Sequence, residues 1–165
     1  MRGRRIALAL AAVVAAAGCS GTGADRRAQA TDLVTRTSLG GIHLQDSQAT
    51  VERLYGHGRK LHRHGERVFH YPAGLTVYYD TAVKGSPVAM VRATSPRFHT
   101  ASGARLGAPL RTVRAMGDVD CDLVSTATAY SVRRVSCLTH AHGPGLAFDL
   151  VGGKVVYLAL VWRTN

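Results

Sequence analysis

GIHLQDSQATVERLYG, residues Gly41–Gly56, and GARLGAPLRTVRAMGD, residues Gly103–Asp118, decide the fold, because they are two versions of one stretch. At a constant offset Gly41 matches Gly103, Leu44 matches Leu106, Val51 matches Val113 and Leu54 matches Met116. Self-similarity of this kind means that the chain is built from a repeated unit. Each copy has the apolar spacing of a short amphipathic helix. In the first, Leu44, Val51, Leu54 and Tyr55 share a face, and Asp46 is placed to cap the amino end. In the second, Leu106, Leu110 and Val113 share a face, and Pro109 suits the first helical position. The copies differ at one notable place: Gln45 stands where the second has Gly107.

Strand-like segments follow each copy. PAGLTVYYD (72–80) and PVAMVRA (87–93) follow the first; GLAFDLV (145–151) and KVVYLALVW (154–162) follow the second. Leu75, Val77 and Tyr79 alternate with Thr76 and Tyr78, and Leu146, Phe148 and Leu150 alternate with Ala147 and Asp149, the period of a half-buried strand. Residues 155–162 are apolar on both parities, which predicts a central strand. Gly152-Gly153 predicts a two-residue hairpin turn. Residues 121–137, centred on Ala129, read as another hairpin with Cys121 opposite Cys137 near its open end. The expected fold is α+β: a tandem helix-plus-antiparallel-strands repeat forming one sheet with both helices on one face. The units span 41–95 and 103–162 within a single domain of residues 41–165.

The order of helix then antiparallel strands, with the leading segment G-x-x-L-x-x-x-x-x-x-V-x-x-x-G followed by G-L-x-V-x-Y, resembles the SmpA/OmlA-type small envelope lipoproteins. The doubled unit resembles the beta-lactamase inhibitor proteins, in which two repeats make one continuous curved sheet. The resemblance covers Gly41 to Trp162 and rests on glycines and apolar positions. It implies a module that acts by binding other proteins and needs no cofactor. The inhibitory loops have no counterpart to map here, so inhibition is not implied.

The amino end reads as an export signal, residues 1–18. Arg2, Arg4 and Arg5 precede an apolar run from Ile6 to Ala17, too short to span a bilayer. Ala16-Ala17-Gly18-Cys19 resembles the lipobox of bacterial lipoproteins, with Ala16 where Leu is usual. The resemblance implies a lipidated Cys19 at the mature amino terminus and anchoring to the outer face of the cell membrane. Residues 19–40 are small and polar and read as a flexible tether.

The chain has 165 residues, a length for one domain, and its 46 % hydrophobic content supports a packed core. It contains three cysteines, Cys19, Cys121 and Cys137. An exported domain favours disulfides, so Cys121 pairs with Cys137 and lipidation accounts for the third. Lysine occurs only at Lys60, Lys84 and Lys154; the remaining basic residues are arginine, the compositional bias of a high-GC genome such as an actinobacterium's. The net charge of +11 falls by three when the leader is removed. A basic exported surface suits anionic envelope polymers as well as proteins. Nucleic acid is not an expected partner, because the chain is exported and has no basic-aromatic pattern.

The motifs of serine hydrolases, zinc proteases and nucleotide-binding loops are absent. Histidine is in excess, at eight. His57, His62, His64 and His70 fall in a segment read as a loop over 57–70, and His140 is two residues from His142. His62 with His64, and His140 with His142, have a spacing that can share a metal on a strand. Arg59, Lys60, Arg63 and Arg67 surround the first pair and oppose a bound cation. Asp118, Asp120 and Asp122 lack the glycine and distal glutamate of a calcium loop and read as charges on a strand edge. A sheet with helices on one face leaves its other face solvated, and Tyr78, Tyr130 and Arg92 are assigned there as partner-binding residues. The function expected is that of a non-catalytic exported lipoprotein that binds a protein or other envelope component, with the histidine-rich loop at the rim. The alternatives are a metal- or small-ligand-binding lipoprotein using that loop, and an envelope hydrolase.

Overall fold

The computed structural model of the protein describes residues 31–63, 65–80, 85–124, 134–139 and 142–163. The leader, Cys19, Tyr130, His64 and His140 lie outside the described residues. The elements run β1 (Ser38–Leu39), β2 (Ile42–His43), α1 (Gln48–Tyr55), β3 (Arg59–Arg63), β4 (Glu66–Tyr71), β5 (Leu75–Tyr79), β6 (Val88–Ala93), α2 (Leu110–Arg114), β7 (Val119–Val124), β8 (Arg134–Thr139), β9 (Gly143–Val151) and β10 (Lys154–Arg163). Strands β3 to β10 form one eight-stranded sheet in the order β3-β4-β5-β6-β10-β9-β8-β7, and β1 and β2 form a separate two-stranded ribbon. The protein is therefore mostly antiparallel sheet with two helices, and the expectation of one sheet is corrected by the small ribbon ahead of α1. All the neighbouring strands of the large sheet are antiparallel.

Helix followed by four strands occurs twice, and the two sets meet along their last strands, β6 and β10. The same pair of backbone hydrogen bonds ties each pre-helical segment to its fourth strand. The Gln45 N–H donates to the Val88 carbonyl at 2.8 Å, and the Val88 N–H donates to the Asp46 carbonyl at 2.9 Å. The Gly107 N–H donates to the Val155 carbonyl at 2.7 Å, and the Val155 N–H donates to the Ala108 carbonyl at 2.9 Å. Gln45 (φ 73°) and Gly107 (φ 82°) both take the left-handed backbone that this approach requires.

Strand register sorts the residues into two faces. Leu75, Val77 and Tyr79 of β5 lie opposite Ala93, Val91 and Val88 of β6, and Val91 lies opposite Leu160 of β10. Leu158 and Leu160 continue onto Phe148 and Leu146 of β9, and Phe148 onto Cys137 of β8. These buried side chains share one core with Val51 of α1 and Val113 of α2, so both helices cover the same face. β10 pairs with both β6 and β9, and Leu158, Ala159 and Leu160 are fully buried, as a central strand demands. Gly152 and Gly153 turn β9 into β10 with φ of 59° and 76°, the positive pair that a tight hairpin uses.

Several local expectations are corrected. Ser47, not Asp46, caps α1: its Oγ accepts from the Thr50 N–H at 3.2 Å, a contact of a kind worth about 1 kcal/mol. Asp46 instead accepts from the His43 N–H at 2.7 Å, which closes the turn after β2. Pro109 sits one residue earlier than expected, at the cap of α2 rather than inside it. Residues 31–40, read as part of the tether, are packed: Val34 and Leu39 are buried in the core, and Val34 bonds to His99. Phe98, between β6 and α2, is also fully buried and was not among the expected core residues.

Candidate functional site

The face of the sheet turned away from the helices carries Val68 and His70 of β4, Thr76 and Tyr78 of β5, and Met90 and Arg92 of β6. It continues with Tyr157 and Ala159 of β10, Asp149 of β9 and Ser136 of β8. Among the described residues no helix lies on it. Tyr78 and Arg92, two of the three residues assigned to this face from the sequence, are both here: Tyr78 lies opposite Met90, and Arg92 opposite Thr76. Tyr130, the third, is outside the described residues. The expectation of a solvated face is corrected at Val68 and Ala159, which have no exposure, and at Thr76, which has only 6 %. These small residues leave room for the larger side chains beside them to lie down across the sheet.

Arg92 stands at the middle. It is opposite Ala159, at the join between the two sets of strands. Its guanidinium carbon lies 5.1 Å from the centroid of the Tyr157 ring, within range of a cation–π attraction. Its Nε is buried and makes no hydrogen bond, and among the described residues it forms no ion pair. Tyr157 donates its hydroxyl proton to the Met90 sulfur at 3.3 Å. Burial pushes the Tyr157 phenol above its ordinary pKa, against the opposing pull of Arg92, so it stays neutral and keeps its proton to donate. The carboxylate nearest this cluster on the face, Asp149, is engaged by Arg134 at 2.7 Å. The result is a partly desolvated cation against the Tyr157 ring, with Tyr78 on β5 of the same face opposite Met90, which accepts from Tyr157.

Tyr157 was missed from the sequence because its strand is apolar on both parities. The signal that distinguishes it is a polar-tipped aromatic inside that run, since a buried tyrosine hydroxyl requires a partner.

Among the described residues the histidines do not converge. The segment expected as a loop over 57–70 is instead the edge hairpin β3–β4, because Val68, Phe69 and Tyr71 pack on it and Gly65 (φ 70°) makes its turn. His62 lies opposite Arg67 and His70 opposite Arg59, which puts the two histidines on opposite faces. His57 is almost fully exposed and sits 3.3 Å from Glu52. His70 Nδ1 is 3.3 Å from the Thr76 hydroxyl, but the burial of Thr76 leaves that oxygen little surface for a substrate. His142 is exposed at the approach to β9. Among the described residues no three His, Cys, Asp or Glu side chains are grouped to hold a metal. Asp118 pairs with Arg36, and Asp120 and Asp122 lie at the surface of the edge strand β7.

Cys121 and Cys137 are directly opposite in the β7–β8 ladder, with sulfurs 2.14 Å apart. A surface depression of about 730 Å³ is lined by Arg97, Arg105, Leu106, Pro109 and Thr112, with none of the open-face residues in its wall. Arg97 there is held by Asp32, its Nε donating at 2.7 Å. No helix of the described residues is long and apolar enough to cross a membrane. No protein-family model, curated protein or solved structure matches this chain.

Proposed function

We propose that the chain is an exported, lipid-anchored and non-catalytic binding module. It captures a protein of the cell envelope on the sheet face centred on Arg92. The observation that supports this most is the placing of Tyr78, Arg92 and Tyr157 on one face that carries no helix among the described residues, with Arg92 over the Tyr157 ring and its Nε buried and unbonded. Tyrosine and arginine dominate the energetics of protein interfaces. A guanidinium already stripped of part of its water loses less on binding a carboxylate or carbonyl than one that is fully hydrated. The repeated helix-plus-strands order and the recurring hydrogen bonds at Gln45 and Gly107 support a duplicated unit of the SmpA/OmlA and beta-lactamase-inhibitor type. The lipid anchor rests on Cys19 and the apolar run before it.

The test is capture by the full chain from its own detergent-solubilised envelope, comparing variants side by side. Tyr78→Ala with Tyr157→Ala, and separately Arg92→Ala, should reduce recovery of the specific partner at least about tenfold, as loss of interface anchors does. Arg105→Ala, on the helix side, should leave it unchanged. Arg92→Lys should fail to restore capture, because an ammonium cannot reproduce the planar, stacked guanidinium. Undiminished capture by the Tyr78/Tyr157 and Arg92 variants would remove the open face as the binding surface.

A further inference from the structure

The two edges of the eight-stranded sheet carry opposite charge. β3, at one edge, reads RKLHR, with Arg59 and Lys60 exposed and no acid in the strand. β7, at the other, reads VDCDLV, with Asp120 and Asp122 exposed and no base. Register places Arg59 opposite His70, on the open-face side, and places Asp120 and Asp122 opposite Leu138 and Ser136, on that same side. Leu123 of β7 is 70 % exposed. Among the described residues neither strand is paired along its outer side.

An outer strand presents backbone N–H and C=O groups that another strand can complete. Charge of one sign along an edge blocks pairing with an identical edge, because like charges directly opposite each other repel. It does not block an edge of the other sign. Pairing of β3 with β3, or of β7 with β7, is therefore disfavoured, while pairing of β3 with β7 between two molecules brings Arg59 beside the β7 aspartates.

We infer that a second copy of this chain docks edge to edge, β3 of one molecule on β7 of the next, so that the sheet runs on from copy to copy. The contact uses two different patches on opposite sides of the molecule, so it propagates rather than closing as a dimer. It leaves the Arg92 face uncovered, and the proposed partner binding is therefore tested independently of it.

Sedimentation velocity of the full chain in non-ionic detergent tests the inference at about 0.05 M and about 0.5 M salt, between which the Debye length shrinks roughly threefold. At low salt the average mass should grow with protein concentration past about twice the monomer, as an open assembly does, and at high salt it should return to the monomer. Asp120→Lys with Asp122→Lys makes both edges basic, and Arg59→Glu with Lys60→Glu makes both acidic. Each variant alone should stay monomeric at low salt, and an equal mixture of the two should assemble again. Recovery on mixing distinguishes lost edge pairing from lost folding. A wild-type chain that stays monomeric at low salt, an assembly that stops at two, variants that still self-associate, or a mixture that fails to assemble would each overturn the inference.

Discussion

Gln45 and Gly107 occupy the same place in the two halves, make the same hydrogen bond and share a left-handed backbone, yet only one of them is glycine. A residue with a Cβ is disfavoured there by about 1–2 kcal/mol, while glycine gives back part of that through its greater freedom in the unfolded chain. Gln45→Gly should therefore raise stability, by up to about 1 kcal/mol. A Cβ at Gly107 would meet no atom within 4 Å, so Gly107→Ala isolates the backbone term and should cost about 1–2 kcal/mol. Denaturant midpoints of the two variants measure both effects. A second residue-scale prediction concerns tyrosine. Burial raises the phenol pKa of Tyr55, Tyr71, Tyr79 and Tyr157 in the folded protein, and the hydroxyls of Tyr71 and Tyr79 sit 3.3 Å apart out of solvent. A group with a raised folded pKa contributes stability that is fully present below its unfolded pKa and is lost as pH rises through the folded one. Stability should therefore hold up to about pH 10 and fall above it. Tyrosinate absorbance should show the buried phenols ionising together with unfolding; if they ionise while the fold persists, the burial argument fails.

The β7–β8 hairpin is an element whose stability rests on few contacts: four of the six β7 residues, Asp120, Asp122, Leu123 and Val124, are exposed. The Cys121–Cys137 bridge, across a separation of 16 residues, compensates. In the chain-entropy account a link of that span contributes about 3 kcal/mol. Cys121→Ala should lower stability by up to that amount, and neither thiol of the unreduced wild type should react with an alkylating reagent. Reaction of both before reduction would disprove the bridge. This hairpin, β5, β9 and the Gly152-Gly153 turn were all legible in the sequence because each has a strict period of two or a turn dipeptide with one physical meaning. The β3–β4 hairpin was not, because His, Arg and Lys alternate there without an apolar partner on β3 except Leu61, and composition favours a loop. The packing of residues 31–40 was hidden for a similar reason. Val34 and Leu39 are isolated apolar residues in a small, polar stretch, and only the groove that they fill gives them meaning. Asp46 and Ser47 are both good caps, and sequence cannot rank neighbours when one of them is diverted to a turn. On the face away from the helices the period of two made the positions of Tyr78 and Arg92 legible, while the run that buries β10 concealed Tyr157.

At the scale of the whole molecule, the proposed anchor and the proposed binding face belong to different parts of the chain, so each can be tested by its own substitutions. Cys19→Ala should move the protein from the membrane fraction to the soluble one. A mutant that stays with membranes after a salt wash would contradict lipid attachment, since stable anchoring takes two acyl chains. The junction of β6 with β10 has a further consequence, for the time course of folding. Met90 and Tyr157 are 67 residues apart in the chain yet touch across that junction. Contacts so distant in sequence form slowly, because a long loop must close before they return any free energy. Until β10 arrives, the apolar strand VAMVRA at β6 has one side with no neighbour. If the chain is exported as proposed, one emerging amino end first would hold β3 to β6 in that unfinished state throughout transit. β10 thus acts as a latch: the two halves stay unjoined until it pairs, and its pairing with β6 and β9 locks them together.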